Sequence, residues 1–488
     1  ISKSYKVVGG GIVEVNAAPG FRMHVAPSEG KARDVSGKVL EMLFPVGTPS
    51  RIPIAAITGT NGKTTTSRML AHIIKTCGYT VGLTTTDGIY VDGKQTVKGD
   101  TTGPRSAQMV LRDPTVDFAV LETARGGLVR NGLGYDSTNV SACLNVASDH
   151  LGMGGIDTLE QLAEIKRIVI EAATDTVVLN ADDKHCLLMA DYADADNIFY
   201  VTMHHNHALV KQHIDAGGKA CVLEKGMNGD LITIYDNSTH IPVLWSHLIP
   251  ATIEGKALHN VQNAMFAVAM AYSFGEDLDQ IRLGLKTFNT TFSQAPGRMN
   301  VFDKHGFRVI LDYAHNPAAF SVMTDLVDKL NTHSRKLIVA SCPGDRRDQD
   351  VVESTEVIAG HFDHYFLKAD DNRRGRENDE IPNMMKKCLM DNGVAEEAIT
   401  VIPDEVEAID KALNSAGDND LLVVFGDNVT RSWKQIINFG GNKSEAVATK
   451  SEIKIKAPAY EDLIDVNLQI IRDERGVRLA REDIEDGD

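Results

Sequence analysis

A glycine-rich loop between a buried-strand pattern and a helical pattern constrains this chain more than any other feature. Residues 54–57 are an apolar run typical of a buried strand, and residues 65–76 follow a helical pattern. Between them lies the sequence Gly59-Thr60-Asn61-Gly62-Lys63-Thr64-Thr65. At such a junction, backbone N–H groups and the helix dipole can hold a triphosphate. The loop therefore predicts a nucleoside triphosphate site.

The residue types in this loop fit phosphate chemistry. Gly59 and Gly62 let the backbone approach a phosphate closely, and Lys63 can neutralise the β- and γ-phosphates. The Thr64 hydroxyl can bind Mg²⁺. The sequence departs from the general phosphate-loop pattern because Ile57 stands where the first glycine belongs. A fortuitous Gly-Lys-Thr turn is the alternative, and the flanking strand and helix patterns argue against it.

Short apolar runs alternate with helical stretches along most of the chain. Such alternation predicts an α/β fold with a parallel sheet covered by helices. Further strand candidates of this first sheet are residues 118–121, 142–146 and 177–179. Short runs separated by Gly, Asp and Asn between residues 197 and 250 predict a small antiparallel insertion, and residues 259–273 predict one helix.

Pro296-Gly297 predicts a hinge into a second, Rossmann-like α/β unit with four strands. The predicted strands are residues 307–311, 336–340, 364–367 and 421–425. After residue 440 the chain becomes charged and polar, with a hairpin pattern around Glu474-Arg475-Gly476. We therefore expect a nucleotide-binding domain at residues 47–296, a second domain at 297–441 and a polar tail at 442–488.

Charge and cysteine content exclude several classes of function. The formal net charge is −17, which argues against general nucleic-acid binding and against docking on an anionic membrane. No apolar run approaches the length of a membrane span, and no signal peptide is visible. The six cysteines have no metal-site spacing, so a reducing cytoplasm is the expected compartment. Because the chain starts with Ile1, we expect a piece of a longer product.

Two further residues stand at predicted strand ends. Glu122 ends the predicted strand that starts at residue 118, and a carboxylate at this position can reach a metal held by the glycine loop. His150 follows the next strand and can be a second metal ligand. The alternatives are a surface glutamate and a loop or capping histidine.

The order of these motifs resembles the Mur ligase superfamily, which includes peptidoglycan amino-acid ligases and folylpolyglutamate synthase. The resemblance rests on the glycine loop, Glu122, Asn145 with Asp149-His150, His259-Asn260 with Asn263, and Asp312-Tyr313-Ala314-His315-Asn316-Pro317. Within the superfamily, the ligase half of the cyanophycin synthetase family is most similar. This similarity rests on residues 121–128, residues 425–430 and the opening segment.

The opening segment resembles the end of an ATP-grasp domain, a module that this family places before its Mur-like half. Glu14 and Asn16 lie two apart, so on a strand they face the same side and can share Mg²⁺. An edge strand with a turn is the alternative. The resemblance implies that residues 1–46 are an ATP-grasp remnant, which cannot bind ATP without its missing lobes.

The resemblance also implies roles for single residues in binding ATP and Mg²⁺. Lys63 resembles the phosphate-binding lysine, and Thr64 and Glu122 match ligands of a first Mg²⁺. His150 matches a ligand of a second Mg²⁺, and Lys166 lies near a lysine that many members carbamylate. An exposed lysine paired with Glu164 or Glu171 is the alternative for Lys166. The implied nucleotide contacts are Asn260, Asn263, Arg298 and Asp312.

The implied reaction is ATP-dependent amide ligation through an acyl phosphate, with a poly-aspartate (cyanophycin) primer and arginine as substrates and aspartate added by the intact enzyme. Carboxylates pair well with guanidinium groups, so acidic residues of the second domain are candidates for arginine binding. The candidates for binding the arginine substrate are Asp345, Asp370, Asp371 and Asp427. The candidates for binding the polymer are Arg373, which could pair with its carboxylates, and Thr102 and Arg125. His315 is a further candidate, with turn capping as its alternative, and a solvated charge run is the alternative for the acidic residues.

Two other functions stay open at this point. The first is a different Mur-type ligase, acting on a peptidoglycan precursor or on folylpolyglutamate. The second is a catalytically silent, polymer-binding Mur-like scaffold. The family resemblance also leads us to expect a symmetric homo-oligomer.

Overall fold

The computed structural model describes residues 15–47, 51–149, 151–152, 154–330, 334–440, 468–473 and 475–481. The chain divides into two compact units, Ile1–Ile52 and Pro53–Asp488. In the first unit, helices α1 (Arg22–Val25) and α2 (Val35–Leu43) contain no buried residue. Glu14 lies outside the described residues, so the ATP-grasp assignment of residues 1–46 stays a prediction.

Eleven strands of the second unit form one sheet. They are β1 (Ile54–Thr58), β2 (Val81–Thr85), β3 (Gly88–Val91), β4 (Lys94–Lys98), β5 (Phe118–Glu122), β6 (Thr138–Cys143), β7 (Ala173–Asn180), β8 (Asn197–Thr202), β9 (Lys219–Gly226), β10 (Gly229–Asp236) and β11 (Thr239–Trp245). Their order is β11-β10-β9-β8-β7-β6-β1-β5-β2-β3-β4. The seven strands from β9 to β2 are parallel to one another, and antiparallel strands extend both edges.

The predicted parallel sheet is confirmed, and one part of the predicted insertion is wrong. The run at residues 198–202 belongs to β8, which pairs in parallel with β7 and continues the main sheet. Within residues 197–250, antiparallel pairing is confined to β9, β10 and β11. The run contains Ile198, Phe199 and Tyr200, all buried, as expected for a strand covered on both faces. A short apolar run does not by itself show the direction of its neighbour.

Helices cover both faces of this sheet. They are α3 (Lys63–Thr76), α4 (Pro104–Leu111), α5 (Arg125–Asn131), α6 (Leu159–Glu171), α7 (Lys184–Leu188), α8 (Ala208–Asp215), α9 (Leu258–Ser273) and α10 (Leu278–Thr287), with 3₁₀ turns at Met189–Tyr192, Ser246–Leu248 and Pro250–Thr252. Helix α9 is the predicted helix of residues 259–273, and eleven of its residues are buried. Its small Ala side chains allow close approach to α3 and the sheet, and its flexible Met side chains fill the remaining gaps.

A second sheet has six strands in the order β12-β13-β17-β14-β15-β16. They are β12 (Asn300–Phe302), β13 (Arg308–Asp312), β14 (Lys336–Ala340), β15 (His364–Leu367), β16 (Ile399–Val401) and β17 (Leu421–Phe425). All neighbours except β12 and β13 are parallel, so the predicted second α/β unit is confirmed. The sheet has six strands and not the four predicted, because β12 and β16 have only three residues each and give no clear apolar run. Its helices are α11 (Pro317–Lys329), α12 (Asp348–Ile358), α13 (Glu380–Asp391), α14 (Glu405–Ser415) and α15 (Val429–Asn438), with a 3₁₀ turn at Glu396–Ala398.

The predicted hairpin near the chain end is confirmed as β18 (Leu468–Asp473) paired antiparallel with β19 (Gly476–Arg481). It packs on the first sheet's domain, where the Val477 N–H donates to His213 Nδ1 at 2.7 Å. Val477 is fully buried there. Of the helices formed by the described residues, none combines the length and the apolar character that a membrane span requires.

A buried ion pair joins β15 to α14 inside the second sheet's domain. Lys368 follows β15 and Glu405 starts α14; each side chain is 1% exposed, and Nζ and Oε2 are 2.9 Å apart. Burial alone would raise the pKa of Glu405, but Lys368 and the Asp427 N–H lower it to about 2. Glu405 also accepts hydrogen bonds from Arg431 and Ser432. The pair therefore fixes the loops that follow β15 and β17.

We predict that Lys368→Met lowers the free energy of unfolding by about 3–5 kcal/mol, because Glu405 keeps a buried charge without its lysine. The matched control is Lys336→Met, which removes a half-exposed lysine 2.8 Å from Asp328 and should cost about 0–1 kcal/mol. Urea unfolding followed by tryptophan fluorescence measures both. Equal losses in the two variants would contradict the prediction.

The same ion pair predicts a pH dependence of stability. Because the pKa of Glu405 is lowered in the folded protein, the stabilisation that Glu405 gives the fold is complete above its usual pKa of 4.5 and is lost as the pH falls toward 2.

Candidate active site

The glycine loop lies between β1 and α3, as predicted, and its two glycines adopt conformations that other residues avoid. Gly59 has φ +147° and Gly62 has φ +87°. A Cβ atom on Gly62 would lie 2.4 Å from Asn263 Oδ1, and one on Gly59 would lie 3.0 Å from Leu144 Cβ. Larger residues are therefore excluded both by backbone conformation and by space.

Asn145, just beyond β6, holds this loop in place. Its Oδ1 accepts hydrogen bonds from the N–H groups of Thr60 and Asn61 at 3.1 and 2.9 Å. Its Nδ2 donates to the Asn61 carbonyl at 3.1 Å. The Lys63 ammonium donates to the carbonyls of Gly59 and Thr60 at 3.0 and 2.9 Å. The loop is thus preorganised, with its lysine curled over the turn.

Glu122 lies beside the loop because of strand register. β5 pairs in parallel with β1, and Ile57 is opposite Glu122. Glu122 Oε1 accepts hydrogen bonds from the hydroxyls of Thr64 at 3.1 Å and Thr86 at 3.0 Å. The two hydroxyl oxygens are 3.4 Å apart. Three oxygen atoms on three different elements therefore form a small triangle at the edge of the sheet.

This triangle fits a divalent cation. Ligand oxygens that are neighbours around octahedral Mg²⁺, with Mg–O bonds of about 2.1 Å, lie about 3 Å apart. Burial raises the pKa of Glu122, although Lys63 and Arg298 oppose the shift, so the carboxylate lacks full compensation for lost solvation. Among the described residues no group of three or more His, Cys, Asp and Glu is arranged to hold a metal. One carboxylate with hydroxyls is a donor set that suits Mg²⁺ bound together with phosphate.

The second domain contributes Arg298 to the same point. Its Nη2 donates to Thr64 Oγ1 at 3.3 Å, and its guanidinium lies 5.5 Å from the centre of the Tyr313 ring. Asp312 lies behind it, half-buried, and accepts a hydrogen bond from the Met299 N–H at 2.9 Å. Burial raises the pKa of Asp312, and Arg298 opposes this. Asp312 therefore fixes the backbone next to Arg298.

Three more residue pairs join the domains around the loop. The side chains of Asn61 and Asn316 exchange hydrogen bonds of 3.3 and 3.0 Å, while Asn316 also caps α11. Arg346, which is 5% exposed, lies 2.9 Å from Asp149 Oδ1. His315 Nε2 is 3.9 Å from the other oxygen of Asp149. His150 lies outside the described residues, so its role as a metal ligand stays a prediction.

Lys166 reaches the same cleft from α6. The structure contradicts the alternative of an exposed lysine paired with Glu164 or Glu171, because Lys166 is 3% exposed and Glu171 pairs with Arg167. Burial lowers the pKa of Lys166 to about 8, and the nearby Lys63 adds to this. The helical pattern could not show this burial, since lysine at that position also fits a solvent-facing stripe.

These groups line one cleft of about 650 Å³ between the two domains. The cleft also has a cationic wing, formed by Arg105, Arg125, Arg130, Arg346 and Arg374. Thr102 and His315 line it too. Asn260 and Asn263 are buried beneath the loop instead, where Asn263 accepts a hydrogen bond from Thr66 at 3.3 Å and donates to Asn260 at 3.1 Å.

The acidic candidates lie in three different settings. Asp345 pairs with Arg346 and Arg374 at the cleft. Asp370 accepts a hydrogen bond from Ser341 at 2.6 Å and lies 3.5 Å from Lys368, and Asp427 accepts one from the Asp371 N–H at 2.9 Å. Burial and the nearby Asp370 raise the pKa of Asp427. Asp371 and Arg373 are exposed, and Asp371 pairs with Arg431.

Several residues of the site were missing from the sequence-based candidates. They are Thr86, Asn145 and Asn316. Asn145 and Asn316 stood inside recognised motifs, so their position at a strand end and a helix start was an available signal. Thr86 had no such signal, because the turn after β2 is defined only by its hairpin with β3.

Comparison with known proteins agrees with this architecture. Residues 57–271 match the Mur ligase middle domain, and residues 297–428 match the Mur ligase glutamate ligase domain. The solved structure of Mycobacterium tuberculosis folylpolyglutamate synthase complexed with ADP and AMPPCP superposes with a TM-score of 0.59 at 17% identity, covering 82% of this chain and 94% of that chain. At that identity the likeness shows the fold.

Two curated relatives are far closer in sequence. A cyanophycin synthetase from a Synechocystis species is 46% identical over 438 residues, which are 89% of this chain and 49% of that protein. A cyanophycin synthetase from Trichormus variabilis is 45% identical over 442 residues, which are 89% of this chain and 48% of that protein. The chain thus spans about half the length of the curated relatives that it matches. The resemblance inferred from the motifs is confirmed: the chain belongs to the Mur ligase superfamily, and its curated relatives at this level of identity are cyanophycin synthetases.

Proposed function

We propose that this chain is the Mur-type part of an ATP-dependent ligase that joins a carboxylate to an amine. The observation that carries the proposal is the convergence of four groups at one point. Lys63 and Thr64 start α3, Glu122 ends β5, and Arg298 reaches Thr64 from the second domain. This arrangement suits a bound triphosphate with its metal, and the relatives are ligases.

We propose that Thr64, Glu122 and Thr86 hold one Mg²⁺, and that His150 and a carbamylated Lys166 hold a second. When bound, these ions would neutralise phosphate charge and orient the phosphoryl group for transfer. The N–H groups of the loop and the Lys63 ammonium would bind the β- and γ-phosphates of ATP. Asn260 and Asn263 would support the loop from beneath, and Asp312 would position Arg298.

ATP is needed because a carboxylate has no adequate leaving group for attack by an amine. Transfer of the γ-phosphoryl group to a carboxylate oxygen gives an acyl phosphate and ADP. Attack by the amine nitrogen then forms the amide bond, and phosphate leaves while the amine loses a proton. Lys63 and Arg298 would balance the charge of the transferring group, and the cleft would hold the reactants in line. The protein's contribution is thus mainly positioning and electrostatics.

We propose that the carboxylate is an aspartate side chain of a poly-aspartate backbone and that the amine is the α-amine of arginine. The support is the identity to cyanophycin synthetases together with the cationic wing of the cleft, in which Arg125 and Arg130 can pair with polymer carboxylates. Asp370 and Asp427, whose charges repel each other, are the proposed partners of the arginine guanidinium. Aspartate addition would belong to the intact enzyme.

The two other functions have less support. Ligation of a peptidoglycan or folate precursor is favoured only by more distant relatives, such as a diaminopimelate ligase of Corynebacterium efficiens that is 28% identical over 412 residues. A silent scaffold would have no reason to bury Glu122 beside Thr64 and Lys63, since an unused buried carboxylate destabilises the fold.

We predict that the purified chain with ATP, Mg²⁺ and an aspartate-bearing primer releases ADP when arginine, but none of the other nineteen amino acids, is added. Lys63→Ala should abolish this release, because the phosphates lose their main cationic partner. The control is Lys225→Ala, an exposed lysine on β9. Release with a peptidoglycan precursor but not with the primer would favour the second function, and primer binding without release would favour the scaffold.

We predict that Lys166 carries a carbamate. Carbamylation requires an uncharged amine that attacks CO₂, and the buried setting of Lys166 favours that form. After equilibration with ¹³C-bicarbonate, the chain should show a carbamate carbon signal in its NMR spectrum that Lys166→Met lacks. An identical spectrum for the two proteins would contradict this assignment and leave Lys166 as a free amine in the cleft.

A further inference from the structure

Arg68 is a buried cation that lies behind the active-site cleft. It is on α3, four residues after Thr64, so both side chains lie on the same side of the helix. It is 6% exposed and does not line the cleft. The mechanism above gives it no contact with nucleotide or metal, so its burial calls for another explanation.

The main partner of Arg68 is Asp87, in the turn between β2 and β3. Arg68 Nη2 donates to both carboxylate oxygens of Asp87, at 2.9 and 2.7 Å. Thr85 and Tyr90 donate to the same carboxylate, and the guanidinium lies 4.6 Å from the centre of the Tyr90 ring. Burial alone would raise the pKa of Asp87, but Arg68 more than offsets this and lowers it, so the pair is ionised. The turn is therefore clamped to α3.

The clamped turn carries Thr86, which holds Glu122. Thr86 precedes Asp87 in the chain, and its N–H donates to Glu122 Oε2 at 3.3 Å while its hydroxyl donates to Oε1 at 3.0 Å. A shift of this turn would move Thr86 away from the carboxylate. Arg68 therefore acts on Glu122 through Asp87 and Thr86.

Arg68 also reaches the segment that leads into the second domain. Its Nη1 donates to the Gln294 carbonyl at 3.0 Å. Four residues later, Arg298 donates to Thr64 Oγ1. One guanidinium thus joins the helix that starts with Lys63 and Thr64, the turn that positions Thr86, and the segment that delivers Arg298.

We propose that Arg68 is a positioning residue that sets the geometry of the Thr64, Thr86 and Glu122 oxygens for the metal–nucleotide complex. A buried ion pair by itself is weak evidence for stability, because an apolar replacement of similar volume is often as stable. Arg68 instead connects the three elements that build the site, and this position accounts for its burial where stability alone does not. This inference rests on the proposed function, since it concerns the metal–nucleotide complex of the same site.

The test compares ADP binding with and without Mg²⁺ by calorimetry, in the wild-type chain and in Arg68→Met. The expected result is that ADP binding in EDTA is unchanged, while Mg²⁺-dependent tightening falls by roughly 10- to 100-fold, as for residues that orient metal ligands. The matched control is Arg282→Met, because Arg282 likewise donates to backbone carbonyls and to one aspartate, but to no residue of the cleft. It should keep the full Mg²⁺ effect.

Two further variants keep the test decisive if Arg68→Met does not fold. Asp87→Asn preserves the shape of the turn and removes the charge, so it should also weaken the Mg²⁺ effect. Arg68→Lys keeps the charge but cannot reach Asp87 and Gln294 together, so this variant should lose part of the Mg²⁺ effect. A folded Arg68 or Asp87 variant with the wild-type Mg²⁺ effect would overturn the inference. A wild-type chain without any Mg²⁺-dependent ADP binding would instead overturn the proposed function.

Discussion

The site depends on the hydrogen bonds and nearby cations that compensate the buried carboxylate of Glu122. A carboxylate removed from water is costly unless hydrogen bonds or cations compensate it. Here the compensation comes from hydroxyls of α3 and of the turn after β2, with Lys63 and Arg298 nearby. Each of these groups can compensate the Glu122 carboxylate only if it lies at one particular position relative to that carboxylate. The fold can therefore be understood as the framework that brings them to the end of β5.

The framework is a set of parallel strands whose carboxyl ends meet at one edge. β1 lies between β5 and β6, so the loop after β1 is flanked by Glu122 on one side and by Asn145 on the other. In open α/β sheets ligands bind at this edge, where neighbouring connections lead to opposite faces. The second domain then closes over the loop through Arg298, Asn316 and Arg346. Binding at this cleft is thereby linked to how the two domains meet.

Much of this was predictable because it depends on short, local patterns. The strands β14, β15 and β17 have the predicted bounds, since each is an apolar run between polar turns. The glycine loop and the strand-end position of Glu122 were predictable for the same reason. Features that depend on distant partners were not. The parallel pairing of β8, the burial of Lys166 and the role of Thr86 require tertiary contacts that no local pattern encodes.

We propose above that the oxygens of Thr64 and Glu122 share one divalent cation beside the glycine loop. The most direct measurement is a crystal structure of the chain with a non-hydrolysable ATP analogue and Mn²⁺ in place of Mg²⁺, read by anomalous scattering. We predict an anomalous peak about 2 Å from both Thr64 Oγ1 and a Glu122 carboxylate oxygen, with the analogue's phosphates on the other side. A fully bound analogue whose metal contacts neither side chain would contradict it.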